Sequence, residues 1–341
     1  MNYEDIISFE ALLESSTKCQ RGVRWKPSVK QFIINAPEEV MRMSDKLKSG
    51  EWVNGKPREI QILYPKKRDG LSISFRDRVY QRSINDYVLY PEMTKHFIFD
   101  NAACQKGKGT SFARRRIKEH LRRFIHEHGR NGYVLQIDIH GYYPTMPHDA
   151  VKNCFGRYLE EDVFRAVCDV LDTQYYGDVG YSPGSQMVQI AGISLLNDID
   201  HYIKERLRVK HYLRYMDDFT LIHEDKEFLE RCLIAIESRL NDIGFEINHK
   251  KTAIRKLKDG FRFLGFDYRI TETGKIIMTV NSASVKHERK KLYRMVQKCK
   301  RGEMDRAKAD ECFNSWKAFA MEGNSYRLIE RLNKYYDDLW R

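Results

Sequence analysis

Three aspartates carry the chemistry this sequence suggests. Tyr133 to Ile139 (YVLQIDI) is a short apolar run that reads as a buried strand, with Asp138 near its C-terminal end. Tyr212 to His223 (YLRYMDDFTLIH) is apolar on both flanks of Asp217 and Asp218, the look of a β-hairpin with both acids at its turn. Carboxylates gathered at strand ends repel one another, and a divalent metal relieves that repulsion. Two Mg2+ ions about 3.5–4 Å apart can activate an attacking 3′-hydroxyl and stabilise a leaving pyrophosphate, given oxygen ligands from two separate segments. A lone Asp-Asp is more often a solvated turn, and a lone Asp after a strand a helix cap, so neither segment decides alone.

The flanking sequence has to place these acids. Helical patterns run over Phe9 to Leu13, Val29 to Leu47, Arg78 to Leu89 and Phe112 to His128. Arg58 to Tyr64 alternates like a strand, and Leu71 to Phe75 is its hairpin partner across the polar turn Lys66 to Gly70. Asp149 to Tyr175, Ile190 to Leu207 and Lys226 to Ile243 read as helices. Ile247, Arg262 to Arg269 and Lys275 to Val280 supply further strand, and the chain from Ser282 onward is helical and basic. This is an α+β core with a helical C-terminal appendage.

Composition narrows the class. A length of 341 residues with 42% hydrophobic content can bury two or three subdomains. No apolar run is long enough to span a bilayer, and the acidic N-terminus lacks a secretory pattern, so a cytoplasmic, non-membrane protein is expected. The net charge of +12 suits a polyanionic partner or ordinary solubility, and charge alone does not choose. Seven cysteines, none spaced as CxxC, read as reduced thiols and not as a disulfide framework or zinc site.

The order of the motifs is more specific. Tyr215-Met216-Asp217-Asp218 resembles the YMDD box of reverse transcriptases, and Asp138 with an aromatic residue five positions later resembles their first catalytic motif. Gly180 to Gln189 resembles the template- and nucleotide-contacting motif between them. Gly244 to Thr252 resembles the next block, and Phe263 to Phe266 the primer-grip hairpin. Phe75 to Val79 and Ala103 to Thr110 resemble two further blocks of the prokaryotic branch. Several blocks in the correct order, over roughly residues 55 to 341, make a specific signal.

The resemblance implies an α+β right-hand polymerase with fingers, a palm carrying an antiparallel sheet, and a helical thumb. The expected bounds are 1–130 for the fingers, 131–275 for the palm with an interleaved fingers segment, and 276–341 for the thumb. It implies an RNA-directed DNA polymerase that extends a primer with dNTPs and uses two Mg2+ ions, with Mn2+ able to substitute. Asp138 and Asp217 are the implied ligands of both metals, with Asp218 a weaker or outer ligand and Ile139 contributing its backbone carbonyl.

Tyr143 is the candidate for sugar choice, because a ring below the incoming ribose collides with a 2′-hydroxyl. Its neighbour Tyr142 is the rival, and a core tyrosine the plain alternative. Lys66 and Arg68 are candidates for the triphosphate, against a solvated basic turn. Lys251, with Lys250 as rival, is placed to protonate the leaving pyrophosphate. Gln189 is assigned to the template base or incoming nucleotide, and Gly184 to close backbone approach. Arg76, Arg78, Tyr215, Met216, Phe263, Leu264 and Gly265 are the template and primer candidates, although Arg78 could instead pair with a palm acid. The basic stretches Ala113 to Arg123 and Val285 to Arg301 fit phosphate contact beside such a core.

The middle motif departs from the pattern: Val188 precedes Gln189 where Ser is common, and Pro183 replaces an aliphatic residue. About 75 residues follow the primer-grip block, room for a thumb and little else. A stand-alone prokaryotic enzyme is expected, in antiphage defence with a dedicated non-coding RNA or in a diversity-generating retroelement. Its partners would be the RNA template, DNA product and dNTPs, with an accessory protein or homo-oligomer. The rivals are an RNA-directed RNA polymerase, which Tyr143 argues against, a template-independent DNA polymerase, and a non-catalytic RNA-binding scaffold.

Overall fold

The computed structural model describes residues 2–63, 67–182 and 184–341. The N-terminal part is helical: α1 (Tyr3–Ile7), α2 (Phe9–Cys19), α3 (Pro27–Ile34) and α4 (Ala36–Lys48). One helix was expected over Val29 to Leu47. It breaks at Asn35, which leaves helical geometry with φ −114° and ψ 29°, and Pro37 then sits in the first turn of α4, where its missing N–H is tolerated.

Strands β1 (Arg58–Ile62) and β2 (Arg68–Ser72) form an antiparallel ribbon in register from Arg58↔Ser72 to Ile62↔Arg68, with β1 exposed along its length. The return strand starts earlier than the expected Leu71. Phe75 belongs instead to α5 (Phe75–Ile84), because the Ser74 hydroxyl caps that helix by accepting the Asp77 N–H at 3.1 Å. A π turn over Asn85–Leu89, α6 (Tyr90–Thr94) and α7 (Thr110–His128) follow.

Next come β3 (Tyr133–Ile137), α8 (Tyr142–Thr145), α9 (His148–Gly156) and α10 (Glu161–Gln174). The helix expected over Asp149 to Tyr175 is therefore two. It stops at Gly156 and restarts behind an extended Glu160, whose neighbours Glu161 and Asp162 favour the new helix's positive end. The long helix expected over Ile190 to Leu207 is α11 (Gln186–Leu195), α12 (Asn197–His201) and a π turn over Tyr202–Arg206, with Leu196 out of helical geometry between the first two.

The remaining elements are β4 (His211–Tyr215), β5 (Asp218–His223), α13 (Lys226–Asp242), β6 (Ala253–Lys256), β7 (Phe261–Phe263), β8 (Phe266–Ile270), β9 (Ile276–Val280), α14 (Ser282–Lys300), α15 (Arg306–Met321) and α16 (Tyr326–Trp340). The central sheet is antiparallel in the order β4-β5-β3-β6, and a second antiparallel sheet runs β7-β8-β9.

Both faces of the central sheet are covered, which explains its nearly continuous apolar sequence. Leu135, Ile137, Tyr212, Phe219 and Leu221 face the main core with α9 to α13. Val134, Leu213 and Ile222 face a second core, built with α7 and the β7–β9 sheet. Helices α14, α15 and α16 close on Leu292, Val296, Phe313 and Leu332. The mixed helix and antiparallel-sheet class expected from the sequence is observed. All seven cysteines are free, and among the described residues no helix is long and apolar enough to cross a membrane.

Candidate active site

The site begins with strand register. β3 and β5 pair antiparallel up to Ile137↔Phe219, so Asp138 and Asp218 each stand one residue beyond that pair on adjacent strands. Side chains alternate along a strand, which puts both carboxylates on the face of Val134 and Ile222. They line one cleft of about 710 Å³ with Lys250, Lys251, Arg255 and Arg262.

The hairpin turn differs in detail from the sequence reading. Tyr215 pairs with Asp218, so the two turn residues are Met216 and Asp217, and Asp218 opens β5. Met216 takes a left-handed φ of 55°, which is uncommon outside glycine and lets two residues reverse the chain. Tyr215 and Met216 are half-buried, and Met216 Sδ accepts from the Cys104 thiol at 3.5 Å.

Asp138 is held by its backbone. Its N–H donates to Thr252 Oγ1 at 3.2 Å, and its carbonyl accepts the Asn248 N–H at 2.7 Å. Ile139 bridges Ile247, flanked by the Asn248–Asp138 and His140–Glu246 bonds. In such a non-hydrogen-bonded pair the Ile139 carbonyl points to the opposite edge, the side of β5 and its turn.

Burial, then the negative charge of Asp217 and Asp138, raises the Asp218 carboxyl to about 7. Asp217 is raised for the same first cause, with Asp138 adding to it. Lys251 donates from Nζ to both oxygens of Asp138 at 3.0 Å. Among the described residues no three His, Cys, Asp or Glu side chains stand close enough to cage an ion as placed. The donor set fits a hard divalent cation in kind. Carboxylates from adjacent strands share one face, two of them disfavour ionisation without a counter-charge, and a lysine cation already sits on the third.

The two adjacent tyrosines have different surroundings. Tyr142 is 3% exposed and its hydroxyl donates to the Gly192 carbonyl. Tyr143 is half-buried, close enough to Asp217 to feel its charge, and burial raises its phenol. A methyl group on Gly192 would stand 3.3 Å from the Tyr143 hydroxyl, so α11 packs directly on this ring.

Other expected residues lie elsewhere. Gly184 and Arg78 line a separate cleft of about 760 Å³ between the N-terminal helices, the β1–β2 ribbon and the start of α11. Gly184 has a φ of 137° but open space around it, so no neighbouring protein atom demands the glycine. Gln189 is partly exposed on α11. Arg76 is exposed and bonds Glu39 at 2.8 Å through Nε. Lys66 lies outside the described residues, and the backbone of Arg68 begins β2.

Leu264 and Gly265 form the β7–β8 turn with φ of 43° and 87°, next to the buried Phe263. Arg114 fixes that turn by donating to the Leu264 carbonyl from Nε at 3.2 Å and Nη2 at 3.0 Å.

A family model described as reverse transcriptase (RNA-dependent DNA polymerase) matches residues 65–268, well over half of the chain. The chain belongs to the reverse transcriptase family. The telomerase of Candida albicans, solved with the TWJ fragment of telomeric RNA, superposes with a TM-score of 0.51 at 14% identity. The match covers 71% of this chain and 49% of that one, so the chain spans about half the length of this fold relative. An apo telomerase of Candida tropicalis, truncated from its C-terminal domain, gives a TM-score of 0.48 at 14% identity, covering 68% of this chain and 58% of that one. Curated protein sequences gave no match. With family and fold in agreement, the antiparallel β4-β5-β3-β6 sheet is the palm of a right-hand reverse transcriptase fold.

Several residues that hold these elements were given no role of their own from sequence: Thr252 and Asn248 on the Asp138 backbone, which the sequence reading had only inside a motif, Arg114 on the β7–β8 turn, and the pair Arg214–Asp200. The last had a signal, since Arg214 is a permanent charge between Leu213 and Tyr215 in a short strand next to an apolar hairpin partner.

Proposed function

We propose that this chain is an RNA-directed DNA polymerase that extends a primer with dNTPs along an RNA template. The observation that carries the reading is the register that sets Asp138 and Asp218 side by side at the Asp217 turn, with Tyr143 near enough to feel the Asp217 charge. Asp138, Asp217, Asp218 and the Ile139 carbonyl would hold two Mg2+ ions, or Mn2+ in their place. Such ions, when bound, lower the barrier by activating the primer 3′-hydroxyl and neutralising charge on the leaving pyrophosphate.

The chain's own residues supply the rest. The Tyr143 ring closes the space a 2′-hydroxyl needs and so favours deoxynucleotides. Lys251, once released from Asp138, has a proton on Nζ to give to the leaving pyrophosphate. Lys66 and Arg68 bind the triphosphate, and Gln189 and Gly184 meet the nucleotide and template at α11. Arg76, Arg78, Tyr215 and Met216 contact the template–primer, with Phe263, Leu264 and Gly265 gripping the primer. Fingers over 1–130, palm over 131–275 and a thumb over 276–341 agree with the helical start, the central sheet and the three closing helices.

Antiphage defence in the cytoplasm of a prokaryote, with a dedicated non-coding RNA and an accessory protein or second copy, is the setting we favour. The support is Val188, fully buried in α11 where retroelement enzymes have serine. Sequencing RNA that co-purifies with the protein tests that setting.

The activity is tested by extending a DNA primer on an RNA template with dNTPs or rNTPs. Extension with dNTPs is expected, and Asp217→Asn should abolish it while leaving template–primer binding intact. Exclusive use of rNTPs, or full activity in the variant, overturns the reading.

A further inference from the structure

We infer that the buried pair Arg214–Asp200 is a positioning device: it sets the spacing between the carboxylate turn and Tyr143, and through that spacing the strictness of sugar choice. The inference rests on the polymerase reading above.

Both residues are fully buried. Arg214 lies on β4, two residues before the turn, on the strand face that Tyr212 presents to the main core. Its guanidinium joins three elements. Nε and Nη2 donate to Asp200 Oδ1 and Oδ2 on α12 at 2.7 and 2.6 Å. Nη2 also donates to the Ile193 carbonyl of α11 at 2.9 Å, and Nη1 to the Met216 carbonyl in the turn at 2.7 Å. Tyr212 completes the group by donating its hydroxyl to Asp200 Oδ1 at 2.5 Å.

The contact points matter more than the charge. Met216 is the left-handed residue of the turn, a conformation unfavourable for a residue with a Cβ that persists only where its surroundings hold it. Arg214 ties the carbonyl of that residue to α11. One residue earlier on α11, Gly192 accepts the Tyr142 hydroxyl and packs its α-carbon against Tyr143. The planar fork therefore links the turn that carries Asp217 to the helix on which the Tyr143 ring rests. An ammonium on a flexible stem cannot make these bonds at fixed angles.

Stability alone does not call for such a pair. Well-packed apolar residues can replace a buried ion pair without loss, whereas removing one partner strands the other's charge. The informative variant is therefore the double replacement Arg214→Met with Asp200→Leu, alongside the conservative Arg214→Lys. Two quantities independent of the folded fraction are read: the ratio of kcat/KM for a dNTP over the matching rNTP, and the Mn2+ affinity followed by electron paramagnetic resonance. The second reads the turn whether or not nucleotides are joined, so failure of the polymerase reading is distinguishable from failure of this one.

The double variant leaves the Tyr212 hydroxyl and the Ile193 and Met216 carbonyls without these partners, so it is expected to fold but melt below the parent, to lose roughly tenfold to a hundredfold in the sugar ratio and to bind Mn2+ more weakly. Arg214→Lys should fall between the two. A folded double variant with parental sugar ratio and parental Mn2+ affinity overturns the inference. A parental sugar ratio with weakened Mn2+ binding overturns the link to sugar choice, and where neither protein extends a primer, parental Mn2+ affinity in the double variant overturns the inference by itself.

Discussion

Lys251 holds its ammonium 3.0 Å from each carboxylate oxygen of Asp138. The lysine is largely exposed and Asp138 mostly shielded, with side-chain exposures of 65% and 19%. The pair therefore contributes little to folding, and its interest lies in competition, since lysine and a divalent cation claim the same oxygens.

Lys251→Gln is expected to lower the Mg2+ concentration that gives half-maximal extension, because the competing cation is gone. The maximal rate should nevertheless fall, by roughly a hundredfold if the ammonium serves as general acid. A Mg2+ titration of primer extension separates the two effects. An increased Mg2+ requirement would count against competition at Asp138.

The raised carboxyl of Asp218 gives a pH dependence of definite sign. Its folded value of about 7 lies above the ordinary 3.8. The stability contributed by this group in metal-free protein is thus fully present below that ordinary value and is lost as pH rises through about 7. Asp218→Asn should flatten that part of a melting-temperature profile. Divalent-cation affinity should run the other way, rising with pH through about 7 as the proton is displaced, and calorimetry in buffers of different ionisation enthalpy would show proton release.

Tyr143→Val should admit ribonucleotides. The ring is half-buried and near enough to feel the Asp217 charge, and removing it should open the volume that a 2′-hydroxyl needs. The dNTP/rNTP ratio of kcat/KM is expected to drop about tenfold or more, with dNTP extension retained. An unchanged ratio would move the sugar gate to another residue.

Tyr142→Phe makes the contrasting case. Its hydroxyl is buried on the Gly192 carbonyl, so the change costs about 1–3 kcal/mol of stability by leaving that acceptor unpaired. Sugar choice should stay as in the parent. Denaturant unfolding and the nucleotide ratio, measured on one preparation, check both halves.

What the chain determined by itself was mostly local. The apolar run ending in Asp138, the apolar flanks of Asp217 and Asp218, and the order of the surrounding motifs sufficed for the fold class and the family, because strand periodicity and short motifs are written in neighbouring residues. Helix ends at Asn35, Gly156 and Leu196 were less legible: apolar periodicity continued across them while a proline, a glycine or a local change of backbone angle broke the helix.

Tertiary structure alone decided which residues meet. Asp138 lies opposite Asp218 through the β3–β5 register, and Lys251 reaches Asp138 because the segment after α13 returns along the far edge of β3. Tyr142 and Tyr143 were alike in sequence; both rings meet Gly192 of α11, and packing separated them by burying Tyr142 with its hydroxyl on the Gly192 carbonyl while leaving Tyr143 half-buried. Arg214 found Asp200, Ile193 and Met216 only once β4, α11 and α12 had packed, since its contacts depend on the docking of separate elements and no local pattern records how they dock.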